Sequence, residues 1–484
     1  MSYVNGTRIT VESLSVRYAD REELALRDVS EQIDPGEVVV VSGASGCGKS
    51  TLCKALCKFI PEMIPAHVEG EILIDGLSIR NIRSQDIATQ LGLVQQDPDS
   101  QICTLNVWQE VAFGPENLCL SREEVRARVE ESLLAAGISH LVNRETTTLS
   151  GGEKQRLAIA SILAMRPSVV LLDEPTANLD PQGAKAIFEI MDDLRKNGKH
   201  TLIVAEHRLV PLLRMRPRLL LLSRGKVVAR RSSVCHKDLK ALGLRADWNL
   251  ELPTLPRAKK ATLFVDRVSF GYEEMSLFED LSFKLWPGEI LGIIGPNGGG
   301  KTTLLRLIAG LEKPASGCIA RDGDPGVGFI FQQPHQQIFE RTVRRELELD
   351  GLIDGEDLHR VLEGARLAGL KNAPPLSLSL GEQRRLTLAI ALSRNSNLLL
   401  LDEPFIGQDA KNVSWIISQR LSVRRHGTAT VLVSHDIPLV ASLCDRLLYL
   451  GERTFIGKKD EVLSQLREAG ETAFTPAYWE QEQE

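Results

Sequence analysis

The sequence predicts an α/β protein made of two tandem copies of one domain, each with a mixed or parallel core sheet and an antiparallel β subdomain. Three observations carry this prediction. A glycine-rich turn between an apolar run and a helix-like run occurs twice, at residues 43–51 and 295–303. A set of short motifs then recurs after each turn in one order, which is the mark of an internal repeat. Each copy also opens with alternating segments that close on a Pro-Gly-Glu turn, the pattern of antiparallel hairpins. Downstream, apolar runs alternate with helical patterns and read as a parallel sheet with crossover helices.

The first turn is Gly43-Ala44-Ser45-Gly46-Cys47-Gly48-Lys49-Ser50-Thr51, after the apolar run 38–41 and before the helix-like run 52–59. It is G-x-x-x-x-G-K-S/T in its required setting, strand before and helix after, and reads as a phosphate-binding loop. Small residues let successive backbone N–H groups face phosphate oxygens, the helix start adds positive dipole, and Lys49 adds a full charge. Ser50 is placed to hold Mg²⁺ in such a loop. The second loop, Gly295-Pro296-Asn297-Gly298-Gly299-Gly300-Lys301-Thr302-Thr303, follows Ile290–Ile294 and precedes 304–311.

After the first loop come Gln96, then Leu149-Ser150-Gly151-Gly152-Glu153, then Val169-Val-Leu-Leu-Asp173-Glu174-Pro175, then His207. After the second come Gln332, Leu378-Ser379-Leu380-Gly381-Glu382, Leu398-Leu-Leu-Leu-Asp402-Glu403-Pro404 and His435. Lys49 and Lys301 differ by 252 positions, whereas Asp173 and Asp402 differ by 229. The second copy therefore lacks 23 residues: 16 between lysine and glutamine, and 7 between glutamine and serine. The larger loss is expected to correspond to 74–90, an excursion from the core. The expected boundaries are a first domain at 1–231, a linker at 232–260 with Pro253 and Pro256, a second domain at 261–470, and a weakly structured acidic tail at 471–484 that includes Tyr478 and Trp479.

Composition narrows the classes. A formal charge of −6 and a pI near 6.0 give no overall electrostatic footprint for nucleic acid. No apolar run reaches membrane-spanning length, since the richest stretch is broken by Arg214, Arg216, Arg218 and Arg224. With no apolar leader, the expectation is a soluble, cytoplasmic protein. Eight cysteines without zinc-type spacing read as reduced packing residues. Cys47, inside the loop, reads as a liability to oxidation or alkylation rather than a catalyst.

These motifs in this order resemble the ATP-binding cassette family over nearly the whole chain, twice. The resemblance implies two P-loop NTPase domains, each with a helical subdomain as well, that bind ATP and Mg²⁺ and hydrolyse ATP. It implies that Asp173 and Asp402 order the metal shell with Ser50, Thr302, Gln96 and Gln332. Glu174 and Glu403 then polarise the attacking water, His207 and His435 touch the γ-phosphate, and Tyr18 and Tyr272 stack on adenine. Ser150 and Ser379 each begin S-x-x-E before a helical run, a capping box. The same helix start, with Gly151, Gly152 and Glu153 or Gly381 and Glu382, presents N–H groups to an anion, which in this family is the γ-phosphate held by the other domain. Head-to-tail pairing within one chain is thus implied. The resulting sites are unequal, because Leu380 replaces the first glycine of the second signature and Phe405-Ile-Gly-Gln-Asp409 replaces Thr176-Ala-Asn-Leu-Asp180.

The stretch Gln96-Asp-Pro98-Asp-Ser-Gln101-Ile102, followed by Val111-Ala-Phe-Gly-Pro-Glu-Asn117, resembles the energy-coupling factor subfamily. That resemblance implies a vitamin or transition-metal importer with a transmembrane coupling subunit and a substrate-capture subunit. The chain would be peripheral on the inner face of the membrane, and residues 98–101 and 334–337 would grip the membrane partner. The alternatives are a soluble twin-cassette factor acting on ribosome or nucleic acid, which the short linker and acidic charge disfavour, and a monosaccharide importer ATPase, which the complete second loop disfavours. An inert ATP-binding scaffold is disfavoured by the intact Glu174 and Glu403.

Overall fold

The computed structural model describes residues 6–19, 21–44, 46–177, 179–232, 260–272, 275–322, 326–349, 351, 355–393, 396–406, 410–425 and 427–476. The chain divides into two compact units between Ala246 and Asp247. That division, with most of the expected linker, lies outside the described residues, as do Ser45, Asp409, Tyr478 and Trp479.

The first unit contains β1 (Ile9–Tyr18), β2 (Leu26–Ile33), β3 (Val38–Ser42), β4 (Ala66–Ile74), β5 (Leu77–Ser78), β6 (Leu91–Val94), β7 (Val169–Asp173), β8 (Thr201–Ala205), β9 (Arg218–Ser223) and β10 (Lys226–Arg231). An antiparallel sheet runs β2-β1-β4-β5, and a mixed sheet runs β10-β9-β3-β8-β7-β6. In the mixed sheet β3 lies parallel between β8 and β9. Every residue of β3, β7 and β8 is buried, which explains why these strands read as unbroken apolar runs. Alternation in β1 has the opposite cause, one face on the core and one in water.

The second unit contains β11 (Leu263–Tyr272), β12 (Met275–Leu285), β13 (Ile290–Ile294), β14 (Ser316–Arg321), β15 (Val327–Ile330), β16 (Leu398–Asp402), β17 (Ala429–Val433), β18 (Arg446–Leu450) and β19 (Thr454–Lys458). Its sheets run β12-β11-β14 and β15-β16-β17-β13-β18-β19, the same order as the first unit without the β5 edge strand. Each unit's main core lies between its two sheets and the helix after its phosphate loop. Those helices are Lys49–Leu56 and Lys301–Ala309, starting earlier than the apolar run alone suggests because each begins at the loop lysine. Leu52 and Leu56, one turn apart, are almost fully buried, each contributing roughly 2 kcal/mol. A separate helical core gathers around Val107, Val129 and Leu157 in the first unit and around Val343, Leu362 and Leu386 in the second.

Two expectations need correction. Gly70 and Gly317 mark equivalent points, since both have positive φ and a Cβ at either would collide with backbone oxygens of the neighbouring strand, Ser13 O or Arg267 O. They lie 21 and 16 residues after their lysines, so five of the sixteen missing residues precede Gly70, ahead of β4 or within its first residues, and only eleven fall after it, where the expected excursion lies. The 471–484 tail is the second correction. Thr472–Phe474 forms a turn of 3₁₀ helix and Phe474 is fully buried, edge-on to Tyr449 at 5.2 Å. The packed second unit therefore runs past Gly470.

Candidate active site

In each unit the sequence motifs converge at the carboxyl ends of the central parallel strands, where open α/β sheets place ligands. The phosphate loops turn tightly there: a Cβ at Gly43 would strike Leu222 O, and one at Gly295 would strike Leu450 O. In the first unit, Lys49 Nζ lies 3.2 Å from Glu174 Oε1 and 3.3 Å from Gly43 O. His207 Nε2 lies 3.1 Å from the same Glu174 oxygen and 3.1 Å from Lys49 Nζ. As the Nε2–H tautomer, His207 donates to Glu174. Gln96 Nε2 donates to Glu174 Oε2 at 3.2 Å, so three predicted side chains meet on one carboxylate. Ser50 Oγ donates to Asp173 Oδ1 at 2.9 Å.

The adjacent carboxyls are pushed in opposite directions. Burial raises Asp173, with Ser50 opposing and the Glu174 charge adding to the rise. Burial also acts to raise Glu174, but the His207 hydrogen bond and charge, with Lys49, outweigh it and hold Glu174 at about 2. Neighbouring charge thus outweighs desolvation at Glu174. Cys47 is buried and its thiol is raised by burial against the pull of Lys49; this corrects the expected liability, because a shielded thiol supplies little thiolate. Cys57 is likewise pushed up by burial, to about 12.

The second unit assembles the same residues differently. Lys301 Nζ donates to Gly295 O at 2.8 Å and Pro296 O at 2.7 Å. His435 holds Glu403 twice, through its ring Nε2, 3.2 Å from Oε1, and through its backbone N–H, 3.2 Å from Oε2. Thr302 Oγ1 donates to Asp402 Oδ2 at 2.8 Å. Asp402 Oδ1 is buried and has no hydrogen-bond partner among the described residues, and burial raises this carboxyl. A buried acceptor left unpaired beside a threonine hydroxyl fits a cation ligand. Glu174 and Glu403 both have left-handed backbones, φ 46° and 49°, an uncommon state for glutamate that concentrates at functional sites.

Ser150 and Glu153 form the expected capping box, with Glu153 N 3.3 Å from Ser150 Oγ and Ser150 N 2.8 Å from Glu153 Oε2. Ser379 and Glu382 do the same, and the Ser379 hydroxyl also donates to Glu382 at 2.7 Å. Leu380, in the place of Gly151, is exposed. Tyr18 OH meets Thr51 Oγ1 at 3.0 Å and lines a cleft of about 610 Å³ with Arg17, Arg21 and His67. Tyr272 is exposed, donating to Glu312 Oε2 at 3.1 Å. The remaining loop positions, Gly46, Gly48, Asn297, Gly298, Gly299, Gly300 and Thr303, lie in the turns and first helical residues around Lys49 and Lys301.

Several contributing residues escaped the motif reading. Buried Glu206 accepts from Thr176 Oγ1 at 2.6 Å, His207 N at 2.8 Å and Arg208 N at 3.1 Å; the second unit has Phe405 and Ser434 instead. Glu110 and Glu346, both buried, hold the loop before their helices by accepting from Cys103 N and Thr104 N, and from Phe339 N and Glu340 N. Their common spacing of 14 from Gln96 and Gln332 was a usable signal. Gln101 Oε1 accepts from Gln95 N at 3.0 Å and Gln337 Oε1 from Phe331 N at 2.9 Å. These two glutamines, expected to face a partner, are turned inward.

Two phosphate loops, each facing a strand-end Asp-Glu pair and a histidine, with Gln96 joining the first, define a duplicated P-loop nucleotide hydrolase. The ABC transporter family model matches residues 26–177 and 278–406, and the chain belongs to that family. It is 33% identical to a Bacillus subtilis protein provisionally named HMP/thiamine import ATP-binding protein YkoD, over 94% of this chain and 92% of that one. It is 30% identical to a Methanosarcina acetivorans protein provisionally named ABC transporter ATP-binding protein, over 97% of this chain and 89% of that one. Among solved structures, it superposes with a TM-score of 0.66 on a chain of the archaeal ribosomal stalk protein aP1 and ribosome recycling factor aABCE1 complex, covering 95% of this chain and 92% of that one. At 20% identity that likeness shows the fold alone. The two cassettes bind and hydrolyse ATP.

Proposed function

We propose that the chain is the ATP-hydrolysing subunit of a membrane importer of the energy-coupling factor type, for a vitamin or a transition-metal ion, acting from the cytoplasmic face of the membrane. Beside each inward-turned glutamine the surface carries bare apolar side chains, and this observation carries the reading. Leu105 is 74% exposed in the first unit and Phe339 78% in the second, with Phe113 also exposed. Exposed apolar groups on the loop that follows the nucleotide glutamine in sequence are suited to a partner helix that senses hydrolysis. The name of the B. subtilis relative, an import ATPase, supports the same reading. Among the described residues no helix is long and apolar enough to cross a membrane, so the channel in this reading belongs to partner subunits.

At the sites, Lys49 and Lys301 bind the phosphates, with Gly43–Thr51 and Gly295–Thr303 backbone amides around them. Asp173 with Ser50 and Gln96, and Asp402 with Thr302 and Gln332, would hold Mg²⁺, which when bound supplies positive charge against the phosphates. Glu174 and Glu403 orient the attacking water, and His207 and His435 fix those carboxylates. A phosphate that draws Lys49 away from Glu174 removes one of the charges holding that carboxyl near 2 and makes it a better base. Closure of the two cassettes on ATP, with Ser150 and Ser379 facing phosphate, completes the reading.

The test is affinity capture of the full chain from detergent-solubilised native membranes, with ATPase rates measured with and without what co-purifies. A small multi-span protein that raises turnover, and is lost in Leu105→Asp and Phe339→Asp variants, is the expected result. Ribosomes or nucleic acid in its place, with no membrane protein, would overturn the importer reading and leave the ATPase standing.

A further inference from the structure

The second unit buries a charge where the first has none. Arg384 lies five residues after Ser379 on the helix Leu380–Ser393 and is 6% exposed. Its Nη1 donates to Glu403 O, and its Nη2 donates to Gln332 O at 3.3 Å. One guanidinium therefore spans the carbonyls of the strand-end glutamate and the nucleotide glutamine. Burial pushes Arg384 down to about 10, against the charges of Glu403 and Asp402, so the group remains a cation at neutral pH. Glu403 is fixed at both ends, its own N–H donating to Val433 O at 3.0 Å.

Gln155 occupies the matching position in the first unit. It is neutral, and among the described residues its Nε2 reaches only Gln95 O, at 3.4 Å. Glu174 O instead accepts from Ala177 N at 3.1 Å, a contact inside its own turn. There the helix is tied to the turn after Gln96 at the surface, where Lys154 Nζ meets Asp99 Oδ1 at 2.6 Å and Asp99 is 66% exposed. The matching Gln383 donates to Leu378 O at 3.1 Å, within its own segment. The internal link from the signature helix is thus a charged fork on two carbonyls in the second unit, and in the first a single long hydrogen bond from buried Gln155 to Gln95 O, supplemented by an ion pair at the surface.

We propose that Arg384 is a positioning residue that makes the second unit's signature helix, Gln332 and Glu403 move as one body, while the first unit remains deformable at this joint. A planar fork with fixed donor geometry is suited to holding two carbonyls at a set separation, and a neutral amide with one long hydrogen bond is not. The proposal rests on ATP hydrolysis and not on the importer reading, so either can fail without the other.

The test compares wild-type full chain with Arg384→Gln, which installs the first unit's residue, and with Arg384→Lys. Steady-state ATP turnover, binding of a fluorescent non-hydrolysable ATP analogue and thermal midpoint are measured for each. Arg384→Gln is expected to lower kcat about tenfold while analogue affinity stays within about threefold, as for a group that acts only through transition-state placement. Arg384→Lys keeps the charge with a single donor head and is expected to fall between the two. The proposal is overturned if Arg384→Gln leaves kcat within about twofold of wild type, or if kcat and analogue affinity fall together. It is also overturned if Arg384→Lys is no better than Arg384→Gln. Should Arg384→Gln fail to fold, Arg384→Lys decides: a reduced kcat at unchanged affinity supports the proposal, and wild-type kcat sinks it.

Discussion

The two catalytic glutamates occupy the same place in the same fold, share a contact with the matching histidine ring, and are otherwise held through different groups. Glu174 is gripped from the nucleotide side by Lys49, His207 and Gln96, while the loop behind it is fastened by Thr176 and Glu206. Glu403 is held by the ring and backbone of His435, with Arg384 on its carbonyl. The exchange is coordinated. Where Ser434 replaces Glu206, the His435 N–H has lost the carboxylate that served His207 and takes Glu403 instead. The difference shows that a motif specifies which groups meet, and that residues outside it specify how tightly each is held.

The largest effect that would break this comparison is on turnover. Glu403→Gln is expected to reduce phosphate release by about a hundredfold to a thousandfold and Glu174→Gln by less. Turnover untouched in the first variant and abolished in the second would reverse the ranking of the sites. Next comes acid stability. Glu174 lies well below the ordinary glutamate value of about 4.5, at about 2, so its stabilisation is complete above the unfolded value and is lost as pH falls from about 4.5 to 2. That is roughly 3 kcal/mol for a mostly buried group. Asp173 and Asp402, raised by burial, act with the opposite sign and cost stability as they ionise. Urea unfolding of the first unit between pH 2 and 7 should therefore show a Glu174-dependent slope that Glu174→Gln removes.

A smaller effect is expected from Thr176→Val, which removes one buried hydrogen bond from Glu206 and should cost about 1–2 kcal/mol in thermal unfolding. Since Phe405 has no hydroxyl to lose, Phe405→Leu should leave the His435 loop hydrogen bonds intact, as amide exchange at His435 would show. The smallest is Lys154→Ala. Breaking its partly exposed pair with Asp99 should cost under about 1 kcal/mol, and less still at high salt; a larger, salt-independent loss would mean that the first unit's surface link is as stiff as the second unit's internal one.

The strands, phosphate loops and strand-end carboxylates were legible because each is specified by adjacent residues. A buried parallel strand reads as an apolar run, and its exit as Asp-Glu. Gln96, Glu174 and His207 were legible as partners only through the repeat and the family resemblance, and the structure brings them together. Arg384, Glu206 and Thr176 were not legible, because each works through a carbonyl or carboxylate that is distant in sequence or carried by the backbone. Gln101 and Gln337 looked like surface residues because polarity alone does not reveal that a side chain has folded back to satisfy the N–H at a strand's end. The five missing residues before Gly70 were hidden for another reason: a length difference between two lysine-to-glutamine intervals does not say where in the interval it falls.

Phe474 has a practical consequence for anyone dividing this chain. A fragment ended at Gly470 would strip the ring from Tyr449, which also stacks on Phe455 at 6.0 Å, and leave an apolar hollow beside β18 and β19. Removing a buried phenylalanine side chain costs about 3–5 kcal/mol, enough to turn a workable second cassette into an aggregating one. A fragment carried through Pro476 keeps that seal.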